Sequence, residues 1–257
     1  MSKWKKDLSV LAIMARASLY KIFSVFFCMA AVELGLFIWQ IREANSVNAV
    51  DGFEGINGLL ENLLEDCFTD RIFFVALWVI LVILVWADSD RNGSKPDYLT
   101  GRLSNGIGKI YGLRFGYHAA CLIMLIAVQV GVAFCMYGLY VNMQNPEYVS
   151  SQALFLTFYR NEFLHSIFPM EEIGLLVRNI LLLIVTSLET AGMWGLKLRS
   201  MVQTGVLFVA WFVVCFSTDI GNHMATYGVI VMLLCLICFP LYNIVEMRRL
   251  RRAKENE

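Results

Sequence analysis

Two carboxylates, Glu33 and Glu189, stand inside long apolar runs where an ionisable side chain is expensive to keep. Gln129 occupies a third such run. By sequence no Lys or Arg shares the depth of either carboxylate, so their chemistry is the exchange of hydrogen bonds and protons. Two uses follow: lining a polar cavity through which a substrate passes, or bonding to neighbours such as Thr186 and Ser187. Counted to the ends of their runs, Glu33 lies about 12 Å from one membrane face and Glu189 about 12 Å from the other. The two are not expected to meet. The remaining chemistry-bearing residues are scattered. His118, His165 and His223 share no depth or spacing that would hold a metal or a haem. Cys235 and Cys238 form a C-x-x-C without any polar neighbour and read as small apolar packing residues. The sequence contains no G-x-x-x-x-G-K-[ST], no H-E-x-x-H and no G-x-S-x-G. No catalytic residue and no metal or cofactor of its own is therefore expected, and the chain is read as not an enzyme.

The elements that must position these groups are helices in lipid. Of the 257 residues 58% are hydrophobic and 16% charged, too apolar for a surface facing water. Because a membrane helix needs about 20 apolar residues, six spans are expected: 22–41, 72–87, 115–140, 173–196, 201–220 and 224–245. The last two are joined only by the polar turn at Asn222 and His223. Gly112, Gly116, Gly131, Gly192 and Gly195 suit close approach of helices. The expected fold is all-α, a single transmembrane domain over 1–257.

Orientation comes from the basic residues. All but four of the 21 Lys and Arg fall on the side that holds both termini; the exceptions are Arg42, Arg71, Arg160 and Arg178. The opposite side carries Glu61, Glu65, Asp66 and Asp70. Both termini are thus expected in the cytoplasm of a bacterial-type plasma membrane protein. The first span is expected to be retained, since it is too long for a signal-peptide core. The net charge of zero gives no reason to expect a nucleic-acid partner.

Three segments lie outside the spans. In 1–21, Trp4, Leu8, Leu11 and Ala15 recur at helical spacing among Lys3, Lys5, Lys6 and Arg16, the pattern of an amphipathic helix lying in the interface. The cytoplasmic connection 88–114 is long for a link between helices. Within it Asp97 can cap a short turn that exposes Tyr98, Leu99, Arg102 and Leu103. The external segment 142–172 contains Ala153 to Phe168, bracketed by Pro146 and Pro169, with Leu156, Tyr159, Phe163 and Ile167 at helical spacing. It reads as an extra outer-face helix, packed over the bundle or dipping into it.

This layout resembles the permease subunit of ATP-binding-cassette exporters of the type-two class. What carries the likeness is the amphipathic start from Trp4 to Tyr20, the six spans with both ends inside, and the long inner loop around Asp97 to Leu103. The resemblance implies a fold that works by alternating access, with Asp97, Tyr98, Leu99, Arg102 and Leu103 docking on a separate cytosolic ATPase that binds ATP and Mg. It also implies pairing with an identical or different second permease. The chain departs from the pattern on the outer side, where Ser217 to His223 leaves no room for re-entrant helices between the last two spans. A self-contained six-span carrier or channel, and a membrane scaffold or immunity protein without transport, are the alternatives.

Overall fold

A computed structural model describes residues 3–50, 60–87, 107–143, 152–169 and 172–192, together with 207–212, 214–215, 227–231, 233–234, 237 and 245. Among these every regular element is a helix. The sequence builds α1 (Lys3–Val50), α2 (Leu60–Asp66), α3 (Thr69–Ala87), α4 (Ile107–Met143), α5 (Ala153–Arg160), α6 (Glu162–Ile167) and α7 (Ile173–Gly192). Three of them contain stretches long and apolar enough to cross a membrane: Ser18–Glu43 in α1, Gly108–Met143 in α4 and Ile173–Ala191 in α7. Helix α3 coincides with the expected span 72–87, beginning three residues earlier. The described residues beyond 206 are helical and fall inside the expected spans 201–220 and 224–245.

The first helix differs from expectation. The amphipathic start and the first span form one uninterrupted helix of 48 residues. Between Lys3 and Leu34 there is neither Gly nor Pro to end it. At ~1.5 Å per residue it is about 72 Å long, well beyond the bilayer's ~40–45 Å including headgroups. Near the end of that start, Ser18 is buried against α4 and meets Tyr117.

A regular stripe packs α1 inward: Met14, Ser18, Ile22, Phe26, Met29, Glu33, Phe37 and Ile41 are all buried. Their spacing of three and four residues places them on one face. Helix α4 shows the same period in Arg114, His118, Leu122, Leu125, Gln129 and Met136. The outward faces carry Phe27, Val32, Ile123 and Phe134, which suits a bundle surrounded by hydrocarbon. In such a solvent apolar burial discriminates little, so close packing and interhelical hydrogen bonds decide the arrangement. Aromatic contacts fasten α3 to the 207–212 helix, with Trp78 and Phe74 at 4.9 and 5.2 Å from the Phe208 ring.

The expected outer helix over Ala153 to Phe168 is two short helices. Asn161 leaves the helical conformation with ψ at 113°, ending α5, and its Oδ1 accepts a hydrogen bond from Leu164 N at 3.0 Å. One residue thus stops one helix and caps the next. The second helix is wedged inward, with Phe163, Leu164, His165, Ser166 and Ile167 buried. The glycines also depart from expectation. A Cβ added at Gly112, Gly116 or Gly131 would meet no atom within 4 Å, so among the described residues none of the three stands at a close helix contact. Gly195 and the C-x-x-C lie outside the described residues.

Candidate functional site

The inward stripes of α1, α4 and α7 bring polar side chains together in two layers. In the first, Gln129 Nε2 donates to Glu33 Oε2 at 2.9 Å. Glu33 is 0% exposed and Gln129 2%. Glu33 Oε1 and Gln129 Oε1 receive no hydrogen bond among the described residues. The pair therefore holds two buried acceptor oxygens in reserve, able to take a hydroxyl, an ammonium or a proton.

The second layer is built on α4 and α7. Thr190 Oγ1 donates to Thr186 O at 2.8 Å, with Ser187 O at 3.2 Å, which commits its only proton. His118 Nδ1, 2.9 Å from the same oxygen, is then the donor in that contact. Trp211 Nε1 donates to Thr186 Oγ1 at 3.0 Å, and Tyr111 O–H to Leu188 O at 2.7 Å. Ser18 spends its proton on Met14 O, so the 2.7 Å contact with Tyr117 is a bond donated by the tyrosine. Buried Arg114 lies one turn from His118 on the same stripe. Glu189, the residue before Thr190 on α7, is buried, and its Oε1 has no hydrogen-bond partner among the described residues.

Along α4 the layers are eleven residues apart, from His118 to Gln129, or about 16 Å. The candidates Glu33 and Gln129 are thus brought into contact, while Glu189 stands in the other layer. Of its neighbours, Ser187 donates its hydroxyl to Leu183 O, and Thr186 Oγ1 accepts from Trp211 Nε1.

Two basic side chains, Arg114 and Arg178, are also buried in these helices. Arg178 stands twelve residues, about 18 Å, before Thr190 on the same helix α7. It is 3% exposed, and its Nη2 donates to Ser166 O and Ser166 Oγ at 3.1 and 2.9 Å. Asn179 Nδ2 completes the cap of α6 through Ser166 O and Ile167 O at 2.7 and 3.0 Å, and Ser166 Oγ donates to Val214 O at 2.7 Å. The sequence puts Arg114 at the end of the inner connection 88–114 and Arg178 inside the expected span 173–196, and charge alone assigns each only to a side of the membrane. The signal that would have found them is period: each falls on the buried stripe of its helix, at His118 minus four and Leu182 minus four.

No family model, curated protein or solved structure matches the chain. The docking candidates Asp97, Tyr98, Leu99, Arg102 and Leu103 lie outside the described residues.

Proposed function

We propose that this membrane protein is a transport permease: the membrane subunit of an ATP-binding-cassette exporter, moving its substrate by alternating access while a separate cytosolic ATPase hydrolyses Mg-bound ATP. The observation that supports transport is the pair of buried polar layers, Glu33 with Gln129 and Glu189 with His118 and Thr190, set about 16 Å apart on the inward faces of helices able to span a membrane. A scaffold has no need to keep unused acceptor oxygens in its interior; a substrate path does. On this reading α3, 201–220 and 224–245 complete six spans with both termini in the cytoplasm of a bacterial-type plasma membrane. A second permease copy, identical or different, packs beside the first, and the open face at Gly112 and Gly116 is a surface it can use.

The deciding experiment is co-purification. A P-loop ATPase should be retained by the wild-type chain and by Tyr148→Ala plus Val149→Ala, and lost with Tyr98→Ala plus Leu99→Ala, because a small interface concentrates its energy in a few apolar anchors. Equal retention by both variants, with membrane insertion intact, would remove the docking assignment and favour a self-contained carrier. A reporter fused after Glu257 should be cytoplasmic and one inserted near Gly58 external. If Glu33→Gln and Glu189→Gln each leave transport and its pH dependence unchanged, the polar layers are structural only.

A further inference from the structure

A groove on the outside of the bundle, apart from the polar layers, is formed where α1 passes α3. It encloses about 460 Å³ and is walled by Val25, Val32, Ile72, Val75 and Val79, of which Val32, Val75 and Val79 are themselves exposed. At one end lies Ser24, whose hydroxyl donates to Lys21 O at 2.8 Å and offers no free proton. At the other end stands Arg71. Its guanidinium is exposed and makes no ion pair with any described carboxylate; it rests over the Phe68 ring, 4.6 Å from the centroid. Phe68 holds that place at a cost, since its φ of 53° is a left-handed conformation that bulky residues avoid. The strained turn aims an aromatic platform under a cation at the mouth of an apolar channel eight residues, or about 12 Å, long.

One charged end, no other hydrogen-bond donor free at the walls, a narrow apolar body and a position on a hydrocarbon-facing surface together describe the complement of a phospholipid. We infer that the α1–α3 groove binds a phospholipid of the leaflet nearer α2, its phosphate paired with Arg71 and one acyl chain laid along Val32, Val75 and Val79. Arginine suits the task because its planar fork can donate two hydrogen bonds to one phosphate. The inference requires only that the chain sit in a bilayer and stands whether or not it is a permease.

The test uses the full chain purified in detergent, with retained lipid counted by native mass spectrometry. Dioleoyl-phosphatidylglycerol should be retained in preference to dioleoylglycerol, which has the same chains without phosphate. Arg71→Gln should weaken retention of the phospholipid roughly tenfold while leaving the weak binding of dioleoylglycerol alone, as loss of a charge-assisted contact predicts. Val75→Trp, which fills the channel, should reduce both lipids, whereas Val177→Trp on the exposed face of α7 should reduce neither. Because Arg71 is exposed, its substitution does not endanger folding and decides the matter even if the tryptophan variant fails to accumulate. Unchanged phosphatidylglycerol retention in Arg71→Gln overturns the inference. So does loss of a dimer in Val75→Trp with lipid retention intact, which would assign the groove to a second copy of the chain.

Discussion

Gln129 reaches Glu33 across the α1–α4 contact with a 2.9 Å hydrogen bond, 96 residues apart in sequence, and Glu33 Oε1 and Gln129 Oε1 stay buried without a hydrogen-bond partner among the described residues. The two side chains depend on each other more than on anything else around them. Removing one should therefore cost more than removing both. Gln129→Leu leaves a buried carboxyl without a partner and is expected to destabilise by about 1–3 kcal/mol, while the double variant Gln129→Leu with Glu33→Leu recovers at least half of that. Thermal unfolding in detergent supplies the cycle. Strict additivity would mean that the bond contributes nothing to the bundle.

Thr190 accepts from His118 only because its own proton is turned back to Thr186 O. Thr190→Val keeps the shape and removes the acceptor. The expected loss is about 0.5–2 kcal/mol, within the range of interhelical polar contacts in membranes, and Thr190→Ser should restore most of it. A serine variant as unstable as valine would place the effect in the lost methyl group.

Arg178 joins α7 to the end of α6, and through Ser166 to Val214. Arg178→Lys preserves charge but cannot reproduce the planar guanidinium that donates from Nη2 to Ser166 O and Oγ while Nε and Nη2 both donate to Asn179 Oδ1, so it is expected to destabilise by about 1.5–3 kcal/mol. Limited proteolysis should then cut first within 161–172. A lysine variant indistinguishable from wild type would show that charge alone suffices.

Cys67, in the turn between α2 and α3, is fully buried, and its thiol is pushed up to about 12, chiefly by burial and then by the nearby acidic groups Asp66 and Glu33. At pH 8 its thiolate fraction is then only about one in ten thousand. Iodoacetamide should leave Cys67 unmodified in the folded protein and label it after unfolding, as read by peptide mass spectrometry. Raising the pH to 9 should not change this in the folded state, because the folded thiol remains protonated until the pH approaches its shifted value. Rapid labelling at pH 8 without denaturant would contradict the packed turn.

The sequence by itself determined the solvent and the faces. A run such as 22–41 can hide its backbone in hydrocarbon only as a helix, and the three-and-four spacing from Met14 to Ile41 already placed Glu33 on the same side as Phe26 and Phe37. The helical character of 72–87, 115–140 and 173–192 was legible for the same reason. Tertiary structure decided which stripe meets which. That Glu33 finds Gln129 and not Glu189 depends on the relative heights of α1, α4 and α7, and no local pattern encodes the offset between two helices far apart in the chain. The burial of Arg114 and Arg178 was not legible because charge assigns a residue to a side of the membrane and not to a helix face, although both sit in register with apolar neighbours and are tolerated only where another helix covers them. Asn161 shows the same limit on a smaller scale. Its side chain can either continue a helix or cap the next one, and the choice fell to capping where α6 packs inward beneath Arg178 and Asn179.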